Sequence, residues 1–376
     1  MKKFFITILL ILLLGALGTG SFYITYKYRL EQKLSEEPKE VVHKIYYASD
    51  FNKEPVSLTY YTKKMDNTKT QEEQAKELLT ALQRGHENGH SPIPTLSSVN
   101  NIVYNPENKE LTVDFSGAFE VMQPKIDKVK KVNLDCIVNT LTQIKKVKKI
   151  KITVDGKEKE NLLGLKNNGE LVENIKKYEI VEMQEGKAPD YLKKLIYQDK
   201  TNKLEVESLP TTWGAKTMTV TNVKDTEDSL LVNYSVNSKS RDRYIVLPRK
   251  YEQEWKVTKD GLYINGVKIL DKELYVGNTW QVDNYIPLLN SSKKIKSYPA
   301  NVEVKEISYK EEDSKIIKEY RIQVEIEQML TKSKTKYIET IYFRDGVGIY
   351  KKELINPNAT SFSKLEYKVK ESSKSK

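Results

Sequence analysis

Between Ala81 and Gly156 the hydrophobic spacing of this chain changes from helical to alternating, back to helical, and again to alternating. The order reads as helix, loop, strand, helix, strand, which belongs to a small mixed α/β domain. The first helix spans about Thr70 to Arg84. Ala75, Leu78, Leu79 and Leu82 fall on one face, Thr70 with Glu73 forms a capping-box pattern, and Gly85 stops the helix ahead of Pro92 and Pro94. Leu111, Val113 and Phe115 alternate with Thr112 and Asp114 as in a strand with one buried face. Asn133 is a good cap for a second helix, whose apolar stripe is Leu134, Ile137, Val138, Leu141 and Ile144. Ile150, Ile152 and Val154 form the next strand, which ends at the turn signal Asp155-Gly156. Gly169–Lys176 suggests a closing helix.

Five segments in this order resemble the GerMN domain of GerM-type sporulation and spore-germination proteins. They are LLTALQRG (Leu78–Gly85), the loop Pro92-Ile93-Pro94, VDFS (Val113–Ser116), IVNTLTQ (Ile137–Gln143) and ITVDG (Ile152–Gly156), within residues 43–176. The resemblance implies an extracytoplasmic, non-enzymatic interaction and assembly module. Its fold would be like that of the small α/β ring-building domains of sporulation complexes. Such proteins can carry paired copies of the domain, whereas this chain has one: VDFS and VNTLTQ do not recur.

After a connector at 177–203 the periodicity becomes two. Leu230-Val232-Tyr234, Tyr320-Ile322-Val324-Ile326 and Tyr337–Phe343 alternate, with turn signals at Asp260-Gly261, Asn265-Gly266, Gly277-Asn278 and Asp345-Gly346. Residues 204–365 are therefore expected to form an antiparallel, meander-like β domain with one wet face, followed by a frayed tail at 366–376. Val276–Trp280 and Phe343–Glu353 are weakly similar to segments of β-rich extracytoplasmic domains of Gram-positive lipoproteins. The fold class is α+β.

Residues 4–26 carry no charge and are long enough to cross a bilayer as a helix. Ala16-Leu17-Gly18 would suit signal cleavage. The apolar run continues past it to an interfacial set of tyrosines, so an uncleaved signal-anchor within residues 1–30 is preferred. No cysteine follows the run, which argues against a lipid anchor. Either reading puts the remainder, beyond a polar linker at 31–42, outside the cytoplasm. Four of the eleven net positive charges lie in the first 30 residues with no acid among them, so the remainder has only a mild excess and nucleic acid is not an expected partner. A single cysteine, Cys136, excludes an internal disulfide and reads as a small buried hydrophobe.

The candidate chemistry is sparse. His86-Glu87-Asn88-Gly89-His90 has the H-E-x-x-H spacing of a zinc hydrolase, which needs both imidazoles on one helix face. Two glycines and Ser91-Pro92 interrupt any helix here, and His43 is the only other histidine. A zinc hydrolase remains a remote alternative. It requires stoichiometric zinc in the purified protein, lost on His90→Ala. Asp114 and Ser116 lack a histidine partner at a suggestive spacing and read as strand end and turn. No catalytic, metal or cofactor residue is expected. Nine lysines, Lys125, Lys128, Lys130, Lys131, Lys145, Lys146, Lys148, Lys149 and Lys151, could contact anionic lipid or wall polymer. The plainer reading is a solvated face. Trp213, Trp255 and Trp280 could stack on glycans, with core packing the expected role. The expected partners are the membrane, through residues 4–26, and envelope or sporulation-complex proteins. A cell-wall or glycan-binding protein is the alternative.

Overall fold

The computed structural model describes residues 40–166, 171–181, 186–209, 216–238, 250–286, 297–330, 333–355 and 362–370. The apolar run at 4–26 lies outside them. Among the described residues no helix is long and apolar enough to cross a membrane. The chain divides into two compact units, residues 1–43 with 63–70, and residues 44–62 with 71–376. In the described part of the first unit, Glu40 and Lys64 approach to 3.7 Å and the Asp66 carboxylate accepts the amide and hydroxyl of Thr68 at 2.8 and 2.7 Å.

The α/β half contains β1 (Glu40–Asp50), β2 (Ser57–Asp66), α1 (Gln71–Arg84), β3 (Val99–Asn105), β4 (Glu110–Phe115), α2 (Ala118–Val121), α3 (Asp127–Leu141), β5 (Lys149–Val154) and β6 (Lys157–Glu158). The sheet order β3-β4-β5-β6 has a parallel β4–β5 pair, which forces the crossover through α2 and α3. Leu111, Val113, Phe115, Ile150, Ile152 and Val154 fill its buried face as the alternation requires. The second helix starts at Asp127, six residues before the expected cap. Asn133 is buried in mid-helix and its side chain bonds other segments instead of capping. From Val132 to Leu141 every residue of α3 is buried. Val129, Val132 and Cys136 pack against Tyr46, Ala48 and Leu58 of β1 and β2, so a second sheet covers the helix.

A short hairpin, β7 (Asn161–Leu162) and β8 (Leu165–Lys166), follows. In place of the expected closing helix at 169–176 there is a single 3-10 turn at Ile175–Lys177, and residues 167–170 lie outside the described set. β9 (Glu179–Ile180) joins β2 in parallel, and α4 (Asp190–Lys194) comes next.

The β half is one twelve-stranded antiparallel sheet. Its strands are β10 (Lys203–Leu209), β11 (Lys216–Asp225), β12 (Leu230–Ser238), β13 (Lys250–Thr258), β14 (Gly261–Ile264), β15 (Val267–Asp271), β16 (Thr279–Tyr285), β17 (Tyr298–Glu312), β18 (Lys315–Leu330), β19 (Ser333–Arg344), β20 (Gly348–Ile355) and β21 (Phe362–Lys370). The order β15-β14-β13-β12-β11-β10-β21-β20-β19-β18-β17-β16 is two six-stranded meanders, joined where the first strand of one, β10, pairs with the last of the other, β21. One apolar core takes inward residues from strands of both meanders, among them Val206, Val232, Trp255, Val302, Ile322 and Phe343, so the sheet curls around it. Leu192, Leu195, Ile196 and Tyr197, placed in a connector by the sequence, belong to this core.

In a meander the connections alternate between two ends. The end bearing 272–278, 313–314 and 345–347 meets the α/β half. The Asn52 side chain bonds both backbone groups of Ile316 at 2.7 and 2.8 Å, Leu274 N–H donates to Glu87 O at 2.7 Å, and Lys194 Nζ meets Asp50 at 2.5 Å. The Phe51 ring meets Tyr309 edge-on at 5.4 Å, and Ile316 enters the core formed by β1, β2 and α3. At Gly89 (φ +80°) a Cβ would stand 2.6 Å from Ile307 Cδ1 and 2.8 Å from Leu274 O. Gly266 has a similar φ with open space around it. Gly266→Ala is expected to cost only left-handed backbone strain, about 1–2 kcal/mol. Gly89→Ala should cost about 1–3 kcal/mol more because it also pries at the junction. Denaturant unfolding of the two variants measures the difference.

Candidate functional site

The His86–His90 segment does not continue α1. Gly85 takes φ +87°, His86 N–H donates back to His90 O at 2.9 Å, and Gly89 N–H donates to His86 O at 2.8 Å. The result is a tight loop, not a helix face with two imidazoles one turn apart. His90 is fully buried. Its Nδ1 accepts Ala48 N–H at 2.8 Å, so the ring proton resides on Nε2, which donates to Asn133 Oδ1 at 2.8 Å. Asn88 Nδ2 donates to Ala48 O at 2.8 Å. The side chains of Asn88 and His90 therefore pair with β1 as a neighbouring strand would. Asn133 continues the chain to Gln123 (2.7 Å), and Gln123 to Pro92 O (3.0 Å). Both nitrogens of His90 are occupied in its neutral form, leaving no lone pair for zinc. Among the described residues no group of three His, Cys, Asp or Glu side chains could hold a metal ion.

The other motif residues are likewise engaged with the backbone. Gln143 pairs with both backbone groups of Lys44 at 2.8 and 2.6 Å, and Thr140 Oγ1 accepts Tyr46 N–H at 3.2 Å. Gln83 Nε2 donates to Pro94 O, Thr95 O and Ser97 O at 2.5–3.3 Å, which fixes the proline loop against α1. Asp114 Oδ1 accepts Thr153 Oγ1 at 2.6 Å and Gly156 N–H at 2.8 Å. Burial acts to raise the Asp114 pKa, but these bonds and one from Asn100 outweigh it and hold the carboxyl below its ordinary range. Ser116 Oγ accepts Ser98 N–H at 3.0 Å. Thr112, Asp114, Lys151, Thr153 and Glu158 are among the residues lining a shallow groove of about 310 Å³ on the solvent face of the sheet.

The nine lysines fall into two groups at opposite ends of α3, whose fifteen residues span about 22 Å. Near its start, Lys128 pairs with Glu54 at 2.6 Å and Lys130 with Asp127 at 2.9 Å, while Lys125 and Lys131 are exposed. Beyond its end, Lys145, Lys146 and Lys148 are exposed, Lys149 is half-buried, and Lys151 pairs with Glu158. The amides of Lys148 and Lys149 donate to Lys109 O at 2.9 and 3.3 Å, tying the second group to the β3–β4 turn. A separation of about two Debye lengths makes the groups electrostatically independent at physiological salt.

Trp255 is buried in the core of the β half and Trp280 is half-buried against it; Trp213 lies outside the described residues. Cys136 is fully buried and burial raises its thiol pKa. Sequence reasoning missed the charge inside the β half, where Glu339, Lys216 and Lys352 occupy inward positions. The signal was present: in Tyr337-Glu339-Ile341-Phe343 the acid stands at an inward place of the alternation.

A sheet with a parallel pair at its centre, a buried crossover helix and a second hairpin on the other side of that helix defines the class of domain. Residues 44–160 match the family model described as "Germane: Sporulation and spore germination", and they form a GerMN domain of that family. Among solved structures, the chain is similar to the first GerMN domain of the sporulation protein GerM from Bacillus subtilis, with 24% identity over 35% of this chain and 97% of that one, at a TM-score of 0.28. The tandem GerMN domains of the same protein align at 17% identity over 54% of this chain and 61% of that one, at 0.29. A putative lipoprotein from Clostridium perfringens aligns at 18% identity over 34% and 94%, at 0.22. No curated protein matches.

Burial is the main cause that lowers His90 to about 3 and His86 to about 4. Both titrate near 6.5 when unfolded, so the unfolded state binds more protons between about 6.5 and these values. Stability is fully present above that window and is expected to fall by several kcal/mol as pH drops through it. His90→Ala should remove most of the His90 part of this slope. It should also cost about 2–5 kcal/mol at neutral pH, since Ala48 N–H and Asn133 Oδ1 lose their partner in a cavity. Unfolding midpoints at pH 7.5 and pH 5 for both proteins test this.

Proposed function

We propose that this chain is a non-catalytic, membrane-anchored, extracytoplasmic interaction module that takes part in an assembly formed during sporulation or germination. The observation that carries the reading is that much of the chemically suggestive motif is engaged internally: the side chains of Asn88 and His90 bond Ala48 and Asn133, and the backbone carbonyl of Asn88 receives Lys318 Nζ and Tyr320 O–H at 3.0 and 2.8 Å. The single cysteine is buried, and the GerMN family supplies the sporulation context. The apolar run at 4–26 serves as the anchor in this reading. The exposed lysines at 145–148, beside the β3–β4 turn, provide the surface for envelope or sporulation-complex proteins.

The full chain, tagged at its C-terminus and solubilised with its membranes, is expected to recover a defined set of membrane proteins from sporulating cells and not from growing cells. Reversing the charge at Lys145, Lys146 and Lys148 together should reduce that recovery without altering thermal unfolding. Recovery of wall polymer alone, equally from both cell types, would replace the assembly reading with one of surface binding. One equivalent of bound zinc, with hydrolytic activity that chelation abolishes, would overturn the non-catalytic reading.

A further inference from the structure

The groove on the solvent face of the β3-β4-β5-β6 sheet has a regular floor. Asn101, Asp114, Thr153 and Glu158 stand in register across the four strands, and Val103, Thr112 and Lys151 form the next row. Residues in register share a face, neighbouring strands lie about 4.8 Å apart, and the two rows are about 6.7 Å apart. Together with Gly156 of the β5–β6 turn, these side chains enclose the 310 Å³ of the groove.

Their internal bonds leave a definite set of groups unspent. Asp114 Oδ1 is taken by Thr153 and Gly156, while Oδ2 accepts only Asn100 Nδ2 at 3.2 Å. Asn101 Oδ1 accepts the Ile102 N–H at 3.0 Å, which leaves its amide NH2 to donate elsewhere. Glu158 meets Lys151 through Oε1 and keeps Oε2. The Thr112 hydroxyl has no bond to another described residue. Carboxylate acceptors therefore stand one strand from amide and hydroxyl donors, on two central strands whose ladders hold them in place. Val103, at the rim, is half exposed and offers an apolar surface.

Charge narrows the class of ligand. Lys151 and Glu158 neutralise each other, and Asp114, ionised at neutral pH, leaves the floor with a negative excess. That excess repels polyanions. A simple cation gains little on an open face, where water screens it. A neutral molecule with several hydroxyls gains at each unspent group. One hydroxyl donates to a carboxylate oxygen in a charge-assisted bond, and its neighbour accepts from the amide. Vicinal hydroxyls on a ring meet this pairing, and the C–H face of the same ring covers Val103. The volume is at the lower limit of small-ligand sites, which suits a monosaccharide or disaccharide.

We propose that this groove binds a neutral sugar, with vicinal hydroxyls bridging Asn101 and Asp114 and a C–H face against Val103. The site uses none of the lysines at 145–148, so it and the assembly reading can fail separately. The test is saturation-transfer NMR on the full chain in a detergent without a sugar headgroup. The probes are methyl β-glucoside, methyl N-acetyl-β-glucosaminide, N,N′-diacetylchitobiose and glycerol 3-phosphate. Transfer to the ring protons of a glycoside is expected at millimolar concentration. The double variant Asn101→Ala, Thr112→Val should weaken binding about tenfold while thermal unfolding stays unchanged. Lys131→Ala, on α3, should leave binding as it is. Tighter binding of the chitobiose than of either single ring assigns the groove to a chain of sugars, and equal binding to a single ring. No transfer to any of the sugars, transfer that the double variant leaves intact, or tighter binding of glycerol 3-phosphate would overturn the site.

Discussion

Everything in the α/β half leans on the pairing of two side chains with one residue of β1. His90 accepts the N–H of Ala48, Asn88 donates to its C=O, and His90 donates its Nε2–H to Asn133 on α3. A buried strand edge that would otherwise carry unsatisfied backbone groups is completed by side chains from a loop. The same loop presents Asn88 O to Lys318 and Tyr320 of β18, and Gly89 to Ile307. Lys318 is nearly inaccessible; burial, as the largest cause, lowers it to about 8, with the nearby charge of Asp345 acting in the opposite direction. One loop thus joins a strand, a helix and the second domain, and removing its central imidazole would disturb all three.

Much of this was legible in the sequence. The apolar spacing located α1, β4 and β5 to within a residue or two, and the period-two runs announced an antiparallel sheet. The errors have physical causes. Asn133 has the chemistry of a cap, and nothing local distinguishes a cap from a buried amide whose partner lies forty-three residues away. The loop at H-E-x-x-H, by contrast, was read correctly from its glycines: Gly85 and Gly89 take positive φ and turn a helical spacing into a loop. The lysine run looked continuous because sequence distance hides the length of α3. Ala188 to Tyr197 looked like a connector because only the folded sheet reveals the core that it plugs.

The polar residues of the family motifs follow a common rule. Gln83, Asp114, Ser116, Thr140 and Gln143 each satisfy backbone groups of a different segment. A small three-layer domain has many short connections and few long ladders, so side chains must supply the hydrogen bonds that regular structure cannot. Recurrent polar residues in such a domain mark its construction.

The seam between β10 and β21 bears on how this chain comes into being. Lys203 pairs with Lys370, so the central hydrogen-bonded ladder of the sheet joins the earliest and latest parts of the β half. Neither six-stranded meander can close around the shared core until the last strand has been synthesised. Until then both present unpaired strand edges, the kind of surface that chaperones cover and that aggregates recruit. Loss of β21 would therefore remove a central strand rather than a peripheral one, and leave β10 and β20 as two facing edges in the middle of the sheet.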